Sequence, residues 1–193
     1  MKNNGFKFKR KKVIVFAFEG KNNRTESIYF SHFRPYNEDY VLKLFSTGVT
    51  DPLKMIESTK AKRKIYDYNA KEDKTYIFMD GDNNKNKIKT IKTILPALGK
   101  DITIIVSNPT FELWFLNHFC KTTKSYFNGE ELIDDLKKYI PDYSKNKDYH
   151  LILSNLQKSA IQNSKFQQEH NNENPSSDVW KLFEFGVIKY RNN

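Results

Sequence analysis

Read for the spacing of its apolar positions, the chain alternates short hydrophobic runs with longer amphipathic stretches. Residues 13–18 (VIVFAF), 40–45 (YVLKLF), 75–79 (TYIFM) and 102–106 (ITIIV) are brief and rich in β-branched or aromatic side chains, the pattern of buried parallel strands. Between them, residues 25–33, 52 to about 69 and 86–98 carry apolar residues at helical spacing, and Asp51-Pro52 reads as a cap followed by proline at the first helical position. Strand, helix, strand, helix predicts an α/β fold, Rossmann-like, with a central, mainly parallel sheet, right-handed crossovers and helices on its faces. Beyond the fourth strand the pattern turns helical. Asn108-Pro109 reads as a cap and first helical residue for a helix carrying Phe111, Trp114, Phe115 and His118, and further helices are expected over 130–138, 151–166 and 178–190. The polar stretch 167–177 joins the last two, and no internal repeat is visible. The expected organisation is an α/β core over 1–120 and a mainly helical C-terminal extension over 121–193 packed on it.

Three of the four expected strands end in acidic or polar residues. VIVFAF runs into Glu19-Gly20, TYIFM into Asp80-Gly81-Asp82, and ITIIV into Ser107-Asn108-Pro109. In open α/β sheets the ligand site lies outside the carboxyl ends of the strands, so a parallel sheet would bring Glu19, Asp80 and Asp82 to one edge. Left uncompensated they repel, and a hard divalent cation, most simply Mg²⁺, relieves this with one or two carboxylates plus water and phosphate. Of only 7 glycines, Gly20 and Gly81 fall inside these clusters, where close approach of a backbone or phosphate would need them. Each element also has a plainer reading. Asp80-Gly81-Asp82 alone is good turn chemistry, and Glu19 alone is a charged strand end. Asn23-Arg24-Thr25-Glu26 has the spacing of a capping box, so Glu26 reads equally as a first-turn acid. Glu112 lies one position past the capping-box partner of Asn108, where a helix dipole still favours an acid. His118 shares a stripe with Phe111 and Trp114 and reads as a core or groove histidine before a ligand or base. The combination, more than any one residue, favours a metal site.

Composition sharpens the choice of partner. Against 23 Asp and Glu stand 33 Lys and Arg, a formal charge of +10 and a pI near 9.4, which attract polyanions such as nucleic acid and would also attract an anionic membrane surface. No apolar run approaches the roughly 18 residues of a membrane span. The start, KFKRKK before VIVFAF, resembles a signal peptide, but the apolar stretch is short, meets Glu19 at once and has no small-residue cleavage site. A cytoplasmic protein is expected. The sole cysteine, Cys120, excludes an internal disulfide framework and a multi-cysteine zinc site, in keeping with a reducing compartment. The basic runs KFKRKK, 60–64 and 85–92 read mostly as solvated surface, some of it touching phosphate, without a base-reading motif.

The same residues carry a family resemblance. VIVFAFEG followed by Thr25-Glu26 and Tyr29-Phe30, then YIFMDGD, then SNPTFELWFLNHF, resembles the RloB family of the TOPRIM superfamily over most of the chain. Tyr143-Ser144-Lys145 resembles a later family motif, and AIQNSK at 160–165 with Asn174-Pro175-Ser176-Ser177 resembles its C-terminal signature. Residues 21–24 lengthen the loop between Glu-Gly and Thr-Glu relative to the family pattern, so Glu19 matches more firmly than Glu26. The resemblance implies a metal-dependent nuclease linked to phage defence, often encoded beside an ABC-type or AAA-like ATPase. By similarity to the overcoming-lysogenization-defect nucleases, Glu19, Asp80 and Asp82, with Glu26 and Glu112, would hold one or two Mg²⁺ (or Mn²⁺), and Lys145 would steady the phosphate. Gly20, Gly81, Ser107, Asn108 and His118 would line the pocket, and the substrate would be DNA or RNA, including tRNA. The helical second half, with Trp114 and Trp180, is a candidate lid, homo-oligomer surface or ATPase dock. A phosphoacceptor receiver domain fits less well, because it needs the acidic pair after the first strand and a lone aspartate later. A TOPRIM primase or topoisomerase would need further domains. The remaining alternative is a non-catalytic subunit that binds nucleic acid or an ATPase partner, whose signature would be loss of a metal carboxylate.

Overall fold

The computed structural model describes residues 10–21, 24–170 and 173–191. Four parallel strands form the centre: β1 (Lys12–Phe18), β3 (Tyr40–Ser46), β4 (Lys74–Asp80) and β5 (Ile102–Asn108). A short antiparallel strand, β6 (Ser176–Ser177), adds to the edge, in the order β3-β1-β4-β5-β6. These are the four expected strands, each extended by a residue or two. A separate antiparallel pair joins β2 (Phe33–Pro35) to β7 (Ile188–Tyr190).

Side chains alternate across the central strands, and each face has its own core. Ile14, Phe16, Phe18, Phe78 and Ile105 face α1 (Arg24–Ser31) and α4 (Glu112–Leu116), while Ala17, Ile77, Met79, Ile102 and Ile104 face α2 (Pro52–Lys62) and α3 (Lys85–Ile94). The crossovers thus cover both faces of the sheet. Helix α2 starts as the sequence predicts, with the Asp51 side chain accepting from Lys54 N at 3.0 Å and Pro52 at the first position. Both α2 and α3 end in a turn of 3-10 helix, at Arg63–Tyr66 and Leu95–Ala97, so the long amphipathic runs shorten as α-helices.

The C-terminal part supplies α5 (Gly129–Leu136), α6 (His150–Leu153), α7 (Gln157–His170) and α8 (Trp180–Glu184). Tyr126, Leu132, Leu136, Leu153, Ala160, Trp180 and Ile188 are buried in the same cluster as Phe16 and Trp114, so residues on both sides of position 120 build one core. Two expectations change here. The helix expected over 178–190 stops at Glu184, because Gly186 takes a left-handed φ of +63°, and the apolar residues beyond it pair as β7 with β2. Asn108 is the last residue of β5 and not a helix cap: α4 begins only at Glu112, without a side-chain cap. Residues 7–9 of the basic start, Asn23 of the capping-box pattern, and 171–172 of the polar linker lie outside the described residues. No helix among the described residues is long and apolar enough to cross a membrane.

Candidate functional site

Parallel pairing sets the ends of β1, β4 and β5 side by side: Phe18 is opposite Phe78, and Asp80 opposite Ser107. Asp80 closes β4, and the turn comes one residue later. Asn84 N donates to Gly81 O at 2.8 Å, with Asp82 and Asn83 between them at φ +51° and +50°, a conformation short Asx side chains tolerate. Gly81 is required by contact. A Cβ there would lie 2.5 Å from Asn108 Oδ1, the atom that accepts from Asn83 N at 2.8 Å. Gly20 is required by conformation, at φ +80°, with its N–H on Val49 O and its carbonyl on Gly48 N, both at 2.9 Å. The sequence pattern is therefore both things at once, a strand-end carboxylate followed by a tight turn.

Around Asp80 the acids form two groups. On the face shared with α1 and α4, Glu26 and Glu112 are buried at 4% and 2% exposure. Asp80 Oδ1 accepts from Phe111 N at 2.9 Å, so β4 and not Asn108 serves the backbone just ahead of α4. Glu112 Oε1 accepts from Tyr143 OH at 3.1 Å and pairs with Lys145 Nζ at 3.2 Å, on a loop whose Asn146 N donates to Thr25 Oγ1 at 3.4 Å. On the other face, Glu19 Oε2 accepts from Asp80 N at 2.9 Å, and Lys87 Nζ bridges Glu19 Oε1 at 2.8 Å and Asp82 Oδ2 at 2.6 Å. An open groove of about 640 Å³ runs past Glu19, Asp82 and Lys87, between the starts of α2 and α3.

Electrostatics follow from that crowding. Burial, then Glu112, Glu19 and Asp82, push the Asp80 carboxyl well above the usual range. Burial, then Asp80 and Glu112, do the same to Glu26. Glu19 is raised too, since its burial outweighs the ion pair with Lys87. Burial works against the charged Lys87 and Lys145, but their carboxylate neighbours outweigh it and raise both. Five carboxylates, Glu19, Glu26, Asp80, Asp82 and Glu112, and two ammonium groups, Lys87 and Lys145, thus meet here among the described residues. Among the described residues no three His, Cys, Asp or Glu side chains converge tightly enough to enclose an ion. The donor set still suits Mg²⁺, which takes hard oxygen ligands, often only one or two carboxylates, and completes its shell with water and phosphate.

The structure therefore brings together Glu19, Glu26, Asp80, Asp82, Glu112 and Lys145, as anticipated from the pattern and the resemblance. Asn108 and Gly81 shape the turn between them. Ser107 turns away, its hydroxyl 3.0 Å from that of Ser177 in the β5–β6 pair. His118 is a core residue and not a pocket residue: Nδ1 sits 2.8 Å from Trp114 O, the ring packs edge-on against Trp114, and burial lowers its pKa to about 4. Two participants escaped the sequence reading. Lys87 reads in the sequence as part of a solvated basic run, whereas Asn84, as an N-cap accepting from Asn86 N and Lys87 N, places it in the first turn of α3. The Tyr143 hydroxyl carried no signal beyond its motif.

Comparison with curated proteins and with solved structures gave no match. The family model for RloB-like protein matches residues 14–185, from β1 to just past α8. The chain belongs to the RloB family.

Proposed function

We propose that this chain is a Mg²⁺- or Mn²⁺-dependent phosphodiesterase of the TOPRIM type that hydrolyses nucleic acid, working in the cytoplasm in phage defence beside an ABC- or AAA-type ATPase. One observation carries the reading: Asp80 stands half-buried between Glu26 and Glu112 on one side and Glu19 and Asp82 on the other, and its carboxyl is pushed well above the usual range by burial and by that crowding. Such crowding of carboxylates is costly unless a function needs it. A bound divalent ion would lower the pKa of a water and neutralise the leaving oxygen.

The chain's own residues do the rest. Glu19, Asp80 and Asp82 supply the oxygen ligands, and the Phe111 N–H and the Asp80 N–H fix the orientation of Asp80 and Glu19. Glu26 and Glu112 complete the acidic wall. Lys145, held by Glu112 yet more than half exposed, offers a point charge to a phosphate oxygen. The groove beside Glu19 and Asp82 admits a phosphodiester from solvent, drawn in by the net charge of +10.

The test is titration of Mg²⁺ and Mn²⁺ into the native chain and Asp80→Ala, with the same samples assayed on plasmid DNA and total tRNA. Metal-dependent cleavage lost in the variant supports the proposal and identifies the substrate class. Cleavage that survives in folded Asp80→Ala overturns it. Metal binding without cleavage, even with the ATPase supplied, leaves the non-catalytic binding subunit.

A further inference from the structure

We infer that Lys87 is the internal counter-ion of this site: its ammonium holds Glu19 Oε1 and Asp82 Oδ2, the oxygens a divalent cation would take, and displacement by that cation delivers it to the substrate phosphate in the groove. The inference rests on the proposed reading of the site and adds a residue that reading does not need.

Position and burial single out Lys87. It is the third residue of α3, where the positive end of the helix dipole disfavours a cation. Lys85, Lys89 and Lys92 on the same helix are exposed, as lysines usually are, while the Lys87 side chain is only 10% exposed. Two short ion pairs, at 2.8 and 2.6 Å, offset both penalties and tie the end of β1 to the turn after β4.

Those pairs exclude a metal ion from the same oxygens. A Mg²⁺ ion sits about 2.0–2.1 Å from its ligands, so an ammonium at hydrogen-bond distance from the same carboxylates would meet it as a like charge. One must leave, and the lysine has a flexible four-carbon stem. Lys87 lines the groove with Thr50, Asn84 and Thr90, so the freed ammonium stays beside the path of a phosphodiester. The exchange turns an acid-neutralising lysine into a phosphate-binding one.

Removal of Lys87 should therefore move two affinities in opposite directions. Lys87→Met is expected to bind Mn²⁺ about tenfold tighter by calorimetry, the worth of one charge-assisted contact. It should also bind a single-stranded oligonucleotide more weakly at saturating Mg²⁺. In the native chain, acetylation of Lys87 followed by mass spectrometry should speed up several-fold on Mg²⁺ saturation, relative to Lys92. The inference is overturned if Lys87 reactivity is unchanged by saturating metal, whatever the variant does, or if folded Lys87→Met binds Mn²⁺ no more tightly than the native chain. Should the variant not fold, the native-chain reactivity decides. Absence of any Mn²⁺ binding by the native chain would instead defeat the reading of the site itself.

Discussion

The two ends of the same sheet carry aspartates with opposite surroundings. At the amino ends of the strands, Asp73 accepts from Val13 N at 2.8 Å and Asn69 N at 2.7 Å, and both its oxygens meet the Arg10 guanidinium at 3.2 Å. Nearby, Asp101 pairs with Arg63 at 2.7 Å and accepts from Tyr68 OH at 3.1 Å, while the Arg63 guanidinium lies 4.1 Å from the Tyr68 ring centre. At the carboxyl ends, Asp80 is surrounded by further carboxylates. Identical chemistry thus serves structure where each acid has an arginine and a further hydrogen-bond donor. Where acids crowd one another, as around Asp80, it fits the proposed ligand site.

Exchanging the two roles by mutation gives the largest contrast. Asp73→Ala strips the acceptor from two backbone N–H groups and should cost about 3 kcal/mol in urea unfolding, with metal binding by the folded fraction intact. Asp80→Ala should show the reverse: cleavage abolished, and stability at neutral pH equal to or above that of the native chain, because a crowded carboxylate is gone. Equal destabilisation by both would erase the distinction between the sheet ends.

Divalent cation gives the next effect. At a hundredfold excess over Kd, Mg²⁺ should raise the melting temperature of the native chain by roughly 5–10 °C. It should raise that of Asp101→Ala by the same amount and leave Asp80→Ala unmoved, as scanning calorimetry would read. A shift in Asp80→Ala would place the ion elsewhere.

Acid titration gives the smallest and most specific effect. Asp80 and Glu26 are raised in the fold, so the folded chain binds more protons than the unfolded one above the ordinary carboxylate range. Their favourable contribution is full below the unfolded pKa near 4 and is lost as pH rises through the higher folded values. In chelator, the urea midpoint of the native chain should fall over that rise, and Asp80→Asn should flatten the slope. A matching slope in both chains would assign it to another raised carboxyl such as Glu19. Buried neutral with a pKa of about 4, His118 works in the opposite sense, and its stabilisation is lost as pH falls from about 6.5 towards 4.

Much of the fold was legible because strand burial and helix amphipathicity are local patterns. VIVFAF, TYIFM and ITIIV are apolar at consecutive positions because both faces of their strands meet helices. Residues 178–190 misled for a reason equally local: Trp180, Leu182 and Phe183 start a helix, and only pairing with Phe33–Pro35, far away in the chain, makes Ile188–Tyr190 a strand. His118 misled through its stripe, since the helical face that carries it turns into the core with Trp114.

From the sequence alone came the four central strands and the helices between them, the family resemblance, and the acids at the ends of β1 and β4, all read from residues near one another in the chain. Tertiary structure alone decided which acids crowd one another. Asp73 and Asp80 lie seven positions apart, one just before β4 and the other its last residue. Their difference comes from partners such as Arg10, 63 residues away from Asp73, and Glu112, 32 residues beyond Asp80, because charge acts through space and not along the chain.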